Sequence, residues 1–411
     1  MTAGINTAKW APVPLALTAL LAAGCASPEG NDPKTAASSP STTPHGYVEG
    51  AKEGAEQQSR LLLNDPGSGS TRALDLITGK VTKTDKVTDA AHLATDGRFG
   101  YLHASGATHV LDGGSWAVDH GDHVHYYRAA IRDVGQLPVG GGALVRSDAA
   151  VTAVTDKGGR TVLYDRGTLE KGDIVRTRAL PGTYTGPVIP YEEHLLALAD
   201  EDGTTGLTVL DRKGKRVTVP DAECEDPKGD AVTRRGVVFG CADGALLVRE
   251  ENGKFTAESI PYEKDVPDTE RATEFRQRPG SDTLTAQAGD SVWVLDVGER
   301  AWKRVETGTV VANTAGEGAP LLVLEADGRL HGYDIGTGKE TTRTKKLLTG
   351  KPHTGKPHTR NAPVVEVDRS RAYVNDPDGK RVFEIDYNDD LRIARTFDLD
   401  VEPVLMAETG R

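Results

Sequence analysis

A dense group of histidine and aspartate side chains is the feature of this sequence that is best suited to chemistry. Residues 119–125 read Asp-His-Gly-Asp-His-Val-His, which places His120, Asp122, His123 and His125 within one short segment. Imidazole nitrogens are favoured zinc ligands, and a carboxylate oxygen can complete the coordination sphere. In an extended segment, His123 and His125 point to the same side. The pattern therefore predicts a zinc site formed by these four side chains, although histidine-rich sites also bind copper strongly.

Two further histidines precede this group. His103 and His109 fall in strand-like runs, residues 101–105 and 107–112, that a Ser-Gly turn joins. We expect the two side chains to lie near one another across this hairpin. They are candidates for a second metal site, or for outer support of the first. The alternative is that they are ordinary cross-strand partners without metal.

The elements that position these residues are predicted to be strands. A recurring unit pairs two apolar strands across a Gly-containing turn, and the second strand ends in an acid. The acids are Asp75, Asp112, Asp165, Asp211, Glu250, Asp296, Asp334 and Asp386. Repeats of about 40 to 50 residues with several strands each are typical of propeller blades.

The repeats therefore predict an all-β fold with a single β-propeller. The eight acids favour eight blades. Seven blades remain possible if the first repeat closes the ring with a C-terminal strand at residues 402–408. A stack of β-sandwiches is the alternative architecture, but no linker divides the sequence near its middle. In the propeller, the histidine segment is expected to leave the second blade, enter the third and lie at the mouth of the central channel.

The N-terminal segment indicates export. A single charge at Lys9 precedes an apolar run over residues 10–23, and the sequence then reads Gly-Cys at Cys25. This arrangement predicts a secretory signal peptide over residues 1–24, because the apolar run is shorter than the ~20 residues of a membrane span. The approach to Cys25 resembles a bacterial lipobox, in which the cysteine is lipidated. An ordinary signal peptide with an incidental cysteine is the alternative.

The segment after Cys25 is predicted to be a disordered tether. Residues 25–58 are rich in Pro, Ser, Thr, Gly and Glu and contain few apolar side chains, so they bury too little surface to offset the entropy of ordering. The propeller is then expected over residues 59–411. The resulting picture is a monomeric domain that a lipid anchor holds at the outer face of the cell membrane, at the cell surface or in the periplasm.

Charge and cysteine content narrow the function further. The net charge of −12 argues against a nucleic-acid partner, since nucleic acids require basic patches. Apart from Cys25, the chain contains only Cys224 and Cys241. Export places this pair in an oxidising compartment, where a disulfide can persist. The alternative is two buried free thiols.

Three stretches resemble AztD-type zinc metallochaperones, a family of secreted β-propellers. The most specific is Asp-His-Gly-Asp-His at residues 119–123, which follows Val-Leu-Asp-Gly-Gly at residues 110–114. The others are residues 239–244, with Cys224 upstream, and the last repeat from residue 371 to 386. The resemblance implies a protein that binds zinc and hands it to the solute-binding protein of a zinc ABC transporter.

Three functions follow as hypotheses. The first is the zinc-delivering metallochaperone, which is not an enzyme. The second is a metal-dependent hydrolase or lyase, in which Asp119 or Asp122 would act as general base beside a catalytic zinc. The chain contains no Gly-x-Ser-x-Gly or His-Glu-x-x-His motif to support that chemistry. The third is a metal-free propeller that serves as an interaction scaffold.

Overall fold

The structure is a computed structural model that describes residues 47–120, 123–217, 221–350, 352 and 363–411. The predicted signal peptide, Cys25, most of the predicted tether and Asp122 lie outside the described residues. The described residues all belong to one unit, His45–Arg411. Within them, no helix is long and apolar enough to cross a membrane.

Strands make up almost all of the regular structure and are numbered in chain order. The first are β1 (Lys52–Gly54), β2 (Arg60–Asn64), β3 (Thr71–Asp75), β4 (Val81–Lys83), β5 (His92–Thr95), β6 (Phe99–His103), β7 (Thr108–Asp112), β8 (Ser115–Asp119), β9 (Val124–Arg128), β10 (Arg132–Leu137), β11 (Leu144–Ser147), β12 (Val151–Thr155), β13 (Thr161–Asp165), β14 (Arg176–Ala179), β15 (Ile189–Tyr191), β16 (His194–Glu201) and β17 (Thr204–Asp211). The others are β18 (Asp230–Thr233), β19 (Gly236–Cys241), β20 (Gly244–Glu251), β21 (Lys254–Pro261), β22 (Phe275–Arg276), β23 (Thr283–Ala288), β24 (Ser291–Asp296), β25 (Ala301–Glu306), β26 (Thr309–Thr314), β27 (Leu321–Glu325), β28 (Leu330–Tyr333), β29 (Glu340–Arg343), β30 (Val365–Val367), β31 (Arg371–Asp376), β32 (Arg381–Asp386), β33 (Arg392–Asp398) and β34 (Leu405–Thr409). Helical structure among the described residues is confined to α1 (Arg166–Lys171) and a 3-10 turn at Asp268–Glu270.

Eight antiparallel sheets follow one another along the chain as blades. Blade 1 has the order β34-β2-β3-β4, and blade 2 has the order β5-β6-β7-β10. Blades 3 to 8 are β11–β14, β15–β17, β18–β21, β22–β25, β26–β29 and β30–β33. The close contacts between consecutive blades involve first strands, which therefore surround the central axis. The prediction of an all-β propeller is confirmed. The described residues form eight blades and one further small sheet of β1, β9 and β8.

Each blade is apolar on both faces because both faces pack against a neighbouring blade. In β2, Leu61 and Leu63 pack against Tyr373 of blade 8, whereas Leu62, which points to the other face, packs against Leu102 of blade 2. Similar apolar clusters fill the space between every pair of consecutive blades. The runs of consecutive Leu and Val in the sequence are thus strands buried on both sides.

The ring is closed by the two ends of the described chain. The C-terminal strand β34 is the first strand of blade 1 and pairs in antiparallel register with β2, Leu62 opposite Ala407. A closing strand at this end of the chain was the condition for the alternative of seven blades. The count is nevertheless eight, because the last repeat forms a complete four-stranded blade of its own. Closure thus builds blade 1 from strands at both ends of the described chain.

The predicted disulfide is present between Cys224 and Cys241. It joins the segment that enters blade 5 to the second strand of that blade, across a sequence separation of 17 residues. Both cysteines are buried in the apolar cluster between blades 4 and 5, beside Phe239. The bond therefore fixes the connection at a blade interface.

Candidate metal centre

A hairpin inserted into blade 2 carries the histidine group. Strands β8 and β9 leave the blade between its third strand, β7, and its fourth, β10, and pair with one another in register. The prediction that this segment leads from the second blade to the third was wrong, because β10 returns the chain to blade 2. The strand β1 adds to the free edge of β9, with Glu53 opposite Tyr127. The predicted disordered tether, residues 25–58, therefore extends too far, since Lys52–Gly54 is a strand.

The base of the hairpin is held by the buried side chain of Arg60 from blade 1. Its Nη1 donates hydrogen bonds to the carbonyl oxygens of Gly113 at 2.5 Å, Gly114 at 3.0 Å and Ala129 at 3.2 Å. Gly114 has a φ of 62°, and a Cβ there would lie 2.5 Å from the carbonyl oxygen of Ala130. Only glycine fits this turn without strain. Arg60 thereby fixes the direction in which the hairpin leaves the blade.

The hairpin reaches across the mouth of the central channel. Strands alternate in direction within a blade, so connections after the first and third strands open at the same end. At the tip, Oδ2 of Asp119 lies 3.2 Å from Nη2 of Arg234 and forms an ion pair with it. Arg234 follows the first strand of blade 5. The hairpin thus begins in blade 2 and contacts a blade three positions further around the ring.

Three imidazoles converge at this tip. His120 follows β8 and His123 precedes β9, and the backbone N–H of His120 donates to the carbonyl of His123 at 2.9 Å. His125 lies two positions beyond His123 and therefore on the same face of β9. One nitrogen from each of the three rings lies within 4.8 Å of the other two. Asp122, the predicted carboxylate ligand, falls outside the described residues.

The spacing of two of these nitrogens suits a shared metal ion. Nε2 of His123 and Nε2 of His125 are 3.2 Å apart. Two imidazole nitrogens bound to one tetrahedral zinc at ~2.0–2.1 Å would be about 3.3 Å apart. The ring centroids of the three histidines are separated by 4.9 to 5.3 Å. One pair of nitrogens therefore already has the separation of shared zinc ligands, and a nitrogen of the third ring lies within 4.8 Å of both.

A carboxylate that was not predicted from the sequence orients His125. Oε1 of Glu53 is 2.6 Å from Nδ1 of His125. A carboxylate in this contact accepts the bond, so Nδ1 carries the proton and Nε2 of the neutral ring presents its lone pair to the cluster. Carboxylates that hold metal-binding histidines in this way are typical of zinc sites. Glu53 comes from β1, so this support depends on the third strand of the small sheet.

The other candidate histidines lie apart from this group. His103 is buried in β6, and its Nδ1 is 2.8 Å from Oγ1 of Thr108, the residue opposite it on β7. His103 also stacks on His92 with 5.6 Å between ring centroids. His109 stands opposite Leu102 instead.

The register corrects the expectation for His103 and His109. Residues directly opposite one another share a face, and successive residues alternate. His103 therefore shares a face with Thr108, and His109 lies on the other face of blade 2. The two imidazoles do not form a joint second site, and neither belongs to the three-histidine group.

Fold and site together define the class of protein: an eight-bladed propeller with an exposed histidine group at one mouth of its channel. No family description matches the sequence, and no curated protein matches it. Solved structures do match. The crystal structure of AztD from Citrobacter koseri has a TM-score of 0.70 and 18% identity, over 86% of this chain and 98% of that chain.

Two further structures support the same fold. Apo AztD from Citrobacter koseri has a TM-score of 0.71 and 17% identity, again over 86% of this chain and 98% of its own. Dihydro-heme d1 dehydrogenase NirN in complex with DHE has a TM-score of 0.53 and 13% identity, over 85% of this chain and 75% of that one. The protein thus has the fold of AztD, as the sequence resemblance predicted.

Proposed function

We propose that this protein is a zinc-binding metallochaperone lipoprotein that delivers zinc to the solute-binding protein of a zinc ABC transporter. The main support is the convergence of His120, His123 and His125, whose ligand nitrogens lie within 4.8 Å of one another. Three neutral imidazoles hold zinc and leave the fourth tetrahedral position for another ligand. Zinc is the cargo in this scheme.

Exposure of the ligands supports delivery rather than permanent storage. His120 and His123 are exposed, and His125 is partly exposed. A structural zinc site is normally closed by four protein ligands. In an exposed three-histidine site, ligands from a partner protein can enter the fourth position and replace the imidazoles one at a time.

The likeness to AztD supports the same role. The most specific stretch of the sequence resemblance, residues 119–123, lies on the hairpin that carries the histidine group. The shared fold extends over 86% of this chain. We infer zinc delivery from the combination of this fold with the three ligands, since a propeller alone does not define a function.

Membrane attachment is a further part of the proposal. Lipidation of Cys25 would hold the propeller at the outer face of the cell membrane, where a solute-binding protein operates. Acyl chains contribute about 0.8 kcal/mol per buried methylene, so two or more chains anchor the protein stably.

Zinc stoichiometry tests the binding site. Native mass spectrometry of the mature protein is expected to show one zinc ion, which is lost in the variant His120→Ala/His123→Ala/His125→Ala. His194→Ala is the matched control, because His194 lies in blade 4 and its Nδ1 is bonded to the carbonyl of Glu192. Retention of zinc in the triple variant would refute the proposed ligands.

Transfer kinetics test the delivery role. The zinc-loaded protein is mixed with a metal-free solute-binding protein from a zinc ABC importer, at increasing concentrations of the acceptor. Direct transfer predicts a rate that rises with the acceptor concentration and exceeds the rate of zinc release to a small chelator. A transfer rate limited to that release rate would show that the protein binds zinc without delivering it.

A further inference from the structure

Two adjoining cavities lie beside the histidine group at the channel mouth. They measure about 470 Å³ and 310 Å³ and share Asp119, Tyr126 and three arginines, Arg234, Arg278 and Arg369. His123 lines the larger cavity as well. One wall of this shared space is therefore formed by the hairpin that carries the proposed zinc ligands.

The three arginines come from three different blades. Each lies in the connection that follows a first strand: Arg234 in blade 5, Arg278 in blade 6 and Arg369 in blade 8. These connections open at the same end of the channel. The ring therefore gathers three guanidinium groups at one mouth, in a protein whose net charge is −12.

The charges of these guanidinium groups are only partly compensated. Arg234 has an ion pair with Asp119 at 3.2 Å. Nε of Arg278 donates to the carbonyl oxygen of Ala315 at 2.7 Å, which is a neutral partner. Within the described ranges, neither Arg278 nor Arg369 has a carboxylate at ion-pair distance, although most other arginines do.

The surroundings of Arg278 also indicate an excess of positive charge. Burial lowers the pKa of the Arg278 guanidinium, and the charges of Arg369 and Arg234 lower it further. Tyr387 and Asp368 oppose this shift without reversing it. Asp368 lines the smaller cavity, but its carboxylate accepts bonds from the backbone N–H groups of Ser370 and Arg371. An added anion would relieve this repulsion.

We propose that this cavity binds a small anion with two or more carboxylates, and that one of its oxygens supplies the fourth ligand to zinc on the three histidines. Guanidinium groups bind carboxylates through paired, charge-assisted hydrogen bonds. A volume of about 470 Å³ suits a small molecule rather than a folded domain. The zinc-coordinating part of this inference rests on the proposed function, whereas the anion site does not.

The proposal gives the anion a role in binding and release. Zinc would then have four ligands, three imidazole nitrogens from the protein and one oxygen from the anion. Loss of the anion would reopen one position for an incoming ligand. By thermodynamic reciprocity, zinc and the anion must then raise each other's affinity by the same factor.

Calorimetric titration of citrate into the metal-stripped mature protein tests the anion site by itself. We expect one binding site. Arg278→Gln and Arg369→Gln are each expected to weaken citrate binding by about tenfold, since each removes a charge-assisted contact. Arg369 is exposed and makes no described ion pair, so its variant is expected to fold. Arg178→Gln, an exposed arginine on the outer strand of blade 3, is the matched control and should bind citrate like the wild type.

The remaining arms separate the possible outcomes. Absence of citrate binding, or arginine variants that bind as well as the wild type, would overturn the anion site. Binding of an acidic peptide without binding of citrate or inorganic phosphate would overturn it in favour of a protein partner. Shared coordination predicts that the wild type binds citrate more tightly in the presence of zinc. It also predicts that the His120→Ala/His123→Ala/His125→Ala variant still binds citrate but shows no such effect of zinc. If zinc-loaded and metal-free wild type bind citrate with the same affinity, the shared coordination is overturned. Whether the protein binds zinc at all is decided separately, by the zinc stoichiometry of the proposed function.

Discussion

Glu53 and His125 are joined by a contact of 2.6 Å between Oε1 and Nδ1, although 72 positions separate them in the sequence. The contact exists because β1 adds to the edge of the hairpin next to β9. It makes the orientation of one zinc ligand depend on a strand that precedes the whole propeller.

Substitution of Glu53 is therefore expected to weaken zinc binding. Glu53→Ala removes the acceptor that fixes the tautomer and orientation of His125, and loss of such outer carboxylates typically lowers metal affinity by about 10- to 100-fold. Glu53→Gln keeps an acceptor oxygen and should have a smaller effect. Competition with a zinc-binding dye measures the affinity. Glu56→Gln, an exposed neighbour, is the control, and equal affinities in all variants would contradict the role of Glu53.

The sequence predicted the part of the site that is local. His120, His123 and His125 lie within one hairpin, so their spacing alone brings their rings together. Glu53 was missed because strand addition across 72 positions leaves no local pattern, and its segment reads as a tether. His103 and His109 were misjudged because their relation depends on register, and a shift of one residue moves a side chain to the other face.

Zinc should stabilise the folded protein. An ion that binds only the folded state at a concentration of 100 times its Kd adds about 2.7 kcal/mol to the free energy of unfolding. Urea denaturation with zinc and with a chelator measures this difference. The His120→Ala/His123→Ala/His125→Ala variant should show no difference between the two conditions. A wild type that is equally stable with zinc and with chelator would instead fit the metal-free scaffold.

The disulfide should stabilise the interface between blades 4 and 5. Cys224→Ala/Cys241→Ala removes a cross-link over 17 positions, for which the loss of chain entropy predicts a cost of about 3 kcal/mol. Reduction of the wild type should give a similar loss in urea denaturation. A reductant should leave the double variant unchanged. If the variant unfolds at the same urea concentration as the oxidised wild type, the cross-link contributes nothing to stability.

The blades were predictable because each is a local unit. Leu61, Leu62 and Leu63 read as a buried strand whichever blades contact them, and each repeat ends near its own acid. The inserted hairpin was harder to place. Asp112 and Asp165 are 53 positions apart, which leaves room for added residues, but β10 returns to β7 through a pairing that only the tertiary structure defines.

Membrane attachment should depend on one residue. If Cys25 is the lipidation site, Cys25→Ser should prevent acylation and leave the protein in the aqueous phase on detergent partition, because the buried acyl chains provide the anchoring free energy. The wild type should enter the detergent phase. Cys224→Ala/Cys241→Ala controls for a general effect of cysteine loss. Detergent-phase recovery of Cys25→Ser would show that attachment has another cause.

The inner strand β34 carries a buried acid whose proton affinity should link folding to pH. Burial raises the pKa of the Glu408 carboxyl from 4.5 to about 8, and the charges of Asp368 and Glu366 act in the same direction. Arg411 opposes the shift, with Nη1 at 3.5 Å from Oε2 of Glu408. The folded state therefore holds a proton that the unfolded state releases at lower pH.

The sign of the linkage follows from the number of bound protons. Between pH 4.5 and about 8 the folded state binds more protons than the unfolded state, so this residue makes stability fall as pH rises through that window. Glu408→Gln removes the titration. Its free energy of unfolding relative to the wild type should therefore increase from pH 5 to pH 9, by an amount on the order of a few kcal/mol. Urea denaturation across this range measures the difference, with the exposed Glu317→Gln as control. A difference that stays constant with pH would mean that Glu408 is already ionised in the folded protein, held by Arg411.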